Sequence, residues 1–344
     1  MSVPDWLTGA VGKLLQECGR DPDFGLCPLA GGANNRVFRV QHDRGDLLLK
    51  WYFADPADPR DRLRAEWDFM ALAWHYGVRQ LPQPLARDRA RRLGLYAFVA
   101  GRLLAPHEVT RRHVQMAADF CRAVNRLRDT EEAARLDAAS EACFTMDEHL
   151  RCVRGRVERL RRAVAGEQVP PEARRWVTEQ LVPQWEELEK KTRRDAVHQG
   201  IDLHAELPRA ARILSPSDFG FHNALLGASG ELTFIDFEYA GWDDPAKTIC
   251  DFFCQVAIPA PKTCLGEFAD ALLQGIPGGS RHRRRADLLM PVYRVKWCCI
   301  VLNPLLDVGR RRRAFRGCAE DARAEVEGFH PYLDRVQWIL QDGG

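Results

Sequence analysis

The chain has 344 residues, of which 46% are hydrophobic and 28% charged; this is ordinary globular composition, sufficient for about two domains or one two-lobed enzyme, and it excludes wholesale disorder. Lys and Arg total 50 against 48 Asp and Glu, for a formal net charge of +2, so the chain carries no global electrostatic footprint for nucleic acid. No apolar run reaches the roughly 18 residues of a membrane helix, so no membrane span is expected.

Residues 24–53 alternate turn signals with β-favouring runs: FGLCPLAGG, RVFRVQH, DRG, DLLLKWYF. The pattern predicts three short antiparallel strands. Residues 57–76 have helical period, with Leu63, Trp67, Met70 and Trp74 on one face. GVRQLPQP breaks that helix, and RRLGLYAFVAG predicts a further strand. Beyond about residue 105 the chain reads as mostly helical, in HEVTRRHVQMAADFCRAVNRLRD, FTMDEHLRCVRGRVERLRRAVAG and PEARRWVTEQLVPQWEELEKKTRRDAV. The alternating charges of the last two fit solvated helix faces. Short β-like runs return at RIL, NALL and ELTFIDF, and helices follow.

Chemistry is suggested first by LSPSDFGFHNALL. Asp218 and Asn223 share a loop, and FIDFE then places Asp236 at a strand end. An Asp to accept a hydroxyl proton, followed by an Asn and an Asp as hard oxygen ligands, suits phosphoryl transfer from a Mg-nucleotide. Each piece alone is weak, because a strand-end Asp is commonly a turn former. Lys50, in the strand DLLLKWYF, has Glu66 sixteen residues on in the next helix. A strand lysine on nucleotide phosphates, held by a helix glutamate, is the other half of kinase chemistry; an unpartnered strand lysine would be a solvated edge residue. Gly31, Gly32, Asn34 and Asn35 form a turn whose backbone N–H groups could face phosphates, or an ordinary β-turn.

With these residues in order, the sequence resembles the aminoglycoside phosphotransferase/choline kinase superfamily of small-molecule kinases over roughly residues 24–256. LAGGANNRVFRV is similar to its nucleotide loop, SDFGFHN to its catalytic loop, and IDFEYAGWDDPAKTICDF to its metal-binding strand and following helix. The resemblance implies an α+β, bilobal protein-kinase-like fold. Its small antiparallel-sheet lobe with one helix would span 1–100, and a larger, mostly helical lobe 101–344. It implies an ATP-dependent (or GTP-dependent) O-phosphotransferase with Mg²⁺. The catalytic residue would be Asp218, with nucleotide contacts at Gly31, Gly32, Asn34, Asn35, Lys50 and Glu66. FVAGRLL resembles the lobe hinge, where the Phe98 carbonyl and Ala100 amide would bond adenine. Asn223 and Asp236 would hold the metal, and Asp244 and Asp251 would brace the catalytic loop. The partner would be a small hydroxyl acceptor; beyond the resemblance, the charge of segment 281–316 points to a sugar or sugar derivative. The family loop usually begins His-Gly-Asp; here it reads Pro216-Ser217-Asp218. A regulatory, nucleotide-binding pseudokinase is the alternative.

His222 reads as a loop hydrogen-bonding residue with a direct role as the sharper option. Glu238 reads as a metal or substrate contact or as a solvated acid. Arginine runs at 281–285 and 310–313 suggest nucleic acid, but no aromatic module accompanies them, so solvated helix ends or an anionic ligand site are favoured. Segment 281–316 holds ten arginines and one lysine against two acids; this argues against a polycationic acceptor, which needs compensating carboxylates. The 11 cysteines contain no CxxC pair, which fits reduced thiols in a cytoplasmic protein.

Overall fold

Helix α1 (Asp5–Glu17) buries Leu7, Val11, Leu14 and Leu15, which recur at helical spacing. They pack with Phe38, Val40, Leu47, Leu49, Leu93 and Leu95 in one apolar cluster. Those sheet residues alternate along β2 (Arg36–Gln41), β3 (Leu47–Trp51) and β5 (Leu93–Ala97). With β1 (Gly25–Leu29) and β4 (Pro84–Asp88) they form an antiparallel sheet in the order β1-β2-β3-β5-β4. The computed structural model describes residues 3–29, 35–56, 58, 60–166 and 169–306. Gly31, Gly32 and Asn34, and the arginine run at 310–313, lie outside the described residues.

Helix α2 (Arg62–His75) is inserted between β3 and β4, and Asp61 caps it by accepting from the Arg64 amide at 3.0 Å. Its Phe69 and Met70 belong to a second, larger core shared with the helices that follow. The chain leaves β5 through residues 98–101 and pairs as β6 (Arg102–Leu103) with a strand far along the sequence.

Then come α3 (Arg111–Asn125), α4 (Glu131–Ala134) and α5 (Met146–Ala163). A reciprocal cap fixes the start of α5, with Glu148 N donating to Thr145 Oγ1 and Thr145 N to Glu148 Oε2, both at 3.0 Å. The helix expected over 171–197 is interrupted. Helix α6 (Pro171–Trp176) widens into a π turn at Val177–Leu181 before α7 (Val182–His198). Pro183 sits in the first turn of α7 and has no N–H to donate back, which accounts for the break.

Three short strand pairs follow. β7 (Ile213–Ser215) pairs with β10 (Gly241–Asp243), and β8 (Ala224–Leu226) lies between β6 and β9 (Leu232–Phe234). Gly241 has φ +159°, and a Cβ there would lie 2.5 Å from the Asp137 carbonyl oxygen. Only glycine lets segment 137–139 bond to Trp242 on both sides, N to O, at 2.9 and 3.0 Å. Helices α8 (Pro245–Cys254), α9 (Leu265–Leu273) and α10 (Gly279–Val301) follow, and a 3₁₀ turn at Asn303–Leu305 comes after them. Every residue of α8 is buried, and a ladder of rings links it to the loop ahead of β8, with Phe219 stacked on Phe252 at 5.3 Å and Phe252 on Phe268 at 4.4 Å. The layout is the α+β arrangement expected, an antiparallel sheet followed by a helical part. None of the described helices is long and apolar enough to cross a membrane.

Candidate active site

The central strand β3 places Lys50 opposite Val37 and Gly94, flanked by strands on both sides. Its ammonium reaches Glu66 of α2 at 2.8 and 2.9 Å and Asp236, just past β9, at 2.7 Å. Glu66 is only 2% exposed. It also accepts from Tyr52 Oη at 2.6 Å, and Tyr52 shares a hydrogen bond with Tyr96 at 2.7 Å. Burial alone would lower the Lys50 pKa, but Asp236, Glu66 and Glu238 outweigh it and hold the ammonium charged. Burial is also the main influence on Glu66, and it raises that carboxyl against the opposing pull of Lys50. The spacing of Lys50 and Glu66 pointed to this pair; the two tyrosines behind it carried no signal in sequence.

Asp236 has φ +69° and Ser217 φ +68°, both left-handed and both non-glycine. Such residues cost about 1–2 kcal/mol each and cluster at functional sites. The Asp236 segment is tied to the loop before it by Ile235 N donating to Asn223 O at 2.9 Å. The loop folds on itself: Asn223 Nδ2 donates to the Asp218 carbonyl at 2.9 Å, and Asn223 N to Gly220 O at 3.0 Å. Asn223 therefore directs its amide nitrogen inward, and its Oδ1 is the atom left for a cation. Asp236 keeps one carboxylate oxygen beyond the one on Lys50. An amide oxygen and a carboxylate are the hard donors that suit Mg²⁺, which takes one or two protein ligands alongside phosphate.

The Asp218 side chain is 40% exposed and accepts from His222 Nε2 at 3.2 Å. Burial would raise its pKa; the His222 contact, with Lys296 and Lys247 nearby, prevails and holds the carboxyl below its usual value. His222 is thus a loop hydrogen-bonding residue that touches the candidate base directly. The loop is braced from behind by Ser215 Oγ, which takes the Ser217 amide at 3.0 Å and meets Thr248 Oγ1 at 2.8 Å.

Asp244 and Asp251, expected as loop braces, are engaged elsewhere. Asp244 caps α8 through the Ala246 amide at 2.8 Å and pairs with His149 at 3.1 Å and with Arg285. Asp251 accepts from Lys296 at 2.8 Å, from Trp297 Nε1 at 2.9 Å and lies 3.5 Å from Lys247. Lys296, the one lysine of segment 281–316, is therefore paired. Arg283 and Arg285 of the run at 281–285 pair with Asp270 and Asp244, so the inner part of that run is structural. Asn35 turns its amide inward, accepting from Phe53 N at 3.2 Å and donating to Glu238 at 2.7 Å. Glu238 is 2% exposed, so it is not the solvated acid that the sequence allowed; burial and then Asp236 push its carboxyl up to about 7. Phe98 and Ala100 lie in the link between β5 and β6, where Phe98 N donates to Asp46 O at 3.3 Å.

The charged and polar groups of two regions of sequence, 186 residues apart at Lys50 and Asp236, thus meet in one place. A family model described as the phosphotransferase enzyme family matches residues 25–287. The chain belongs to the phosphotransferase enzyme family. Solved structures similar to this phosphotransferase include a choline kinase from Cryptosporidium parvum, 11% identical, with 97% of this chain and 99% of that one covered at a TM-score of 0.60. A spectinomycin phosphotransferase in complex with ADP and spectinomycin is 12% identical, with 97% of each chain covered and a TM-score of 0.57. A choline/ethanolamine kinase family protein from Mesorhizobium loti is 18% identical over 93% of this chain and 92% of that one, with a TM-score of 0.52. At such identities the likeness is one of fold, and it assigns the phosphotransferase a kinase-like fold. No curated protein sequence matches the chain significantly.

Proposed function

We propose that this phosphotransferase moves the γ-phosphoryl group of ATP to a hydroxyl of a small acceptor, a sugar or sugar derivative. The observation that carries the reading is the Lys50–Glu66–Asp236 cluster, with the exposed Asp218 carboxylate on the neighbouring loop. The nucleotide would lie against the sheet of the first hundred residues, with adenine at the Phe98 carbonyl and Ala100 amide and phosphates by the turn at 31–35. The helical part from residue 101 would carry the catalytic loop and the acceptor.

In this reading Lys50, fixed by Glu66, binds the α- and β-phosphates. Asn223 Oδ1 and the second oxygen of Asp236 would hold Mg²⁺, which offsets negative charge between the β- and γ-phosphates when bound. Asp218 orients the acceptor hydroxyl and takes its proton. The acceptor oxygen forms a bond to the γ-phosphorus as the bond to the bridging oxygen breaks, and ADP leaves with the electron pair. The low Asp218 pKa keeps that carboxylate ionised and able to accept.

The test is acceptor-dependent ADP release from Mg-ATP, run over panels of sugars, amino alcohols and aminoglycosides. Phosphomonoester formation that disappears in Asp218→Asn supports the reading. Nucleotide binding with no transfer to any hydroxyl in the panels contradicts it.

A further inference from the structure

Beside Asp218 lies a cavity of about 330 Å³, at the low end of the roughly 300–1,000 Å³ typical of small-molecule sites. Among the described residues, the acids on its wall besides Asp218 are Glu141 and Asp251, and the cations are Arg60, Arg156, Lys247 and Lys296. The sequence alone gives no hint that these seven meet, because they come from six separate stretches of the chain.

Each acid other than Asp218 is already taken by a cation of the same wall. Glu141 pairs with Arg156 of α5. Asp251 has both oxygens occupied, one by Lys296 and Trp297 Nε1, the other by Lys296 with Lys247 at 3.5 Å. Arg60 is held by Asp58 through two bonds of 2.6 Å and lies 5.2 Å from the Tyr239 ring centroid. The Glu141 side chain is 34% exposed and that of Arg156 15%. Segment 137–139 is locked to Trp242 by the Gly241 contact, and Glu141 itself sits at φ +58°. Burial would raise the Glu141 pKa, but Arg156 and then Lys296 overcome it and bring the carboxyl down to about 2.

An ammonium group entering such a cavity finds Glu141 and Asp251 already paired with cations of the wall, and the remaining acid, Asp218, is the one the transfer itself requires. Desolvating a cation without a free counter-ion is costly. A hydroxylated ring meets donors and acceptors fixed by those pairs. It also meets the side chains of Trp297, Ile300 and Val301 on the same wall. The Trp297 ring is oriented by its bond to Asp251, and an amphipathic aromatic of this kind offers a large contact at low entropic cost.

We infer that the acceptor carries no cationic group, being a sugar or sugar acid, and that Arg156 sets this selectivity by occupying Glu141. The inference rests on the phosphotransferase reading above and names its substrate class. Neutral sugars and sugar acids should be phosphorylated with kcat/KM at least tenfold above choline, ethanolamine and kanamycin. Arg156→Gln uncovers Glu141, so the ratio of amino-sugar to neutral-sugar kcat/KM should rise tenfold or more, with KM for ATP unchanged. Adding Glu141→Gln to that variant should return the ratio to its starting value.

The whole chain with Mg-ATP is used throughout, and nucleotide binding is followed separately by calorimetry. Preferred phosphorylation of choline or kanamycin by the unaltered protein overturns the inference. So does an active Arg156→Gln protein with an unchanged ratio. Transfer to neither class, with or without nucleotide binding, instead contradicts the phosphotransferase reading beneath it. If Arg156→Gln does not fold, the panel on the unaltered protein still decides.

Discussion

Lys50 has two carboxylate partners, and the two carboxylates differ in what they do next. Glu66 is enclosed by Tyr52 and the sheet, whereas the Asp236 side chain is 22% exposed with one oxygen uncommitted. Lys50→Met leaves both acids without their cation. A buried ion pair broken on one side typically costs about 3–5 kcal/mol, so urea unfolding should show a loss of that order along with weaker nucleotide binding. Unchanged binding and rate would mean that Lys50 does not meet the phosphates. Asp218 and Asp236 should separate cleanly. Asp218→Asn should lower kcat by about 10²–10⁴-fold, the usual worth of a positioned base, with nucleotide affinity retained; Asp236→Ala should abolish Mg-dependent nucleotide binding. Equal loss of nucleotide affinity in the two variants would show the division of roles to be wrong. These residues were legible in sequence because kinase chemistry demands particular residue types at particular places. Tyr52, Tyr96, Lys247 and Trp297 were not, because what makes them part of the site is proximity across the fold.

Short elements do much of the positioning, and they were also the least legible. β7, β8, β9 and β10 have three residues each, too few for a period to emerge. Of these, β10 was not anticipated, since GWD gives no alternation. β4 was missed because Pro84 begins it, and the two-residue β6 because Gly101 marks a turn. The strands of 24–53 and the long helices were legible because their apolar spacing repeats. Asn125, the last residue of α3, anchors β7 by accepting from Leu214 N at 2.9 Å and donating to Leu214 O at 3.1 Å. Asn125→Ala strands a buried donor and a buried acceptor at the root of the loop that carries Asp218. Each of the two stranded groups costs about 1–3 kcal/mol, so a shift in the urea midpoint at unchanged m-value should report a loss of about 2–6 kcal/mol. A neutral substitution would mean that β7 is held by β10 alone. Ser217 tests the loop in the other direction. Its left-handed backbone suits the glycine usual in the related loop, so Ser217→Gly should leave stability equal or raise it by up to about 1 kcal/mol. A marked loss of stability would place the constraint in the Ser217 side chain.

On the scale of the whole molecule, the helical part is tied together by buried charges, and this makes its stability depend on pH. Burial alone would raise the Asp244 pKa, but Arg285 and His149 together hold its carboxyl well below the usual carboxylate range. A depressed folded-state pKa means that its stabilisation is complete above the unfolded-state value, near pH 4, and is lost as pH falls toward the folded one. Unfolding free energy should therefore decline on the acid side below about pH 4. Asp244→Asn should flatten that decline by about one proton while lowering stability at neutral pH; an unaltered acid slope would show that Asp244 is not ionised in the fold. If the sheet with Lys50 and the helical part with Asp218 serve one transfer, ³¹P NMR of the whole protein with Mg-ATP and a pool of sugars reads that transfer itself. The γ-phosphate signal should convert to a phosphomonoester in step with ADP, while Asp218→Asn still binds nucleotide and forms ester about 10²–10⁴-fold more slowly. Ester formation by Asp218→Asn at the unaltered rate, or none by the unaltered protein with nucleotide bound, would contradict that joint role.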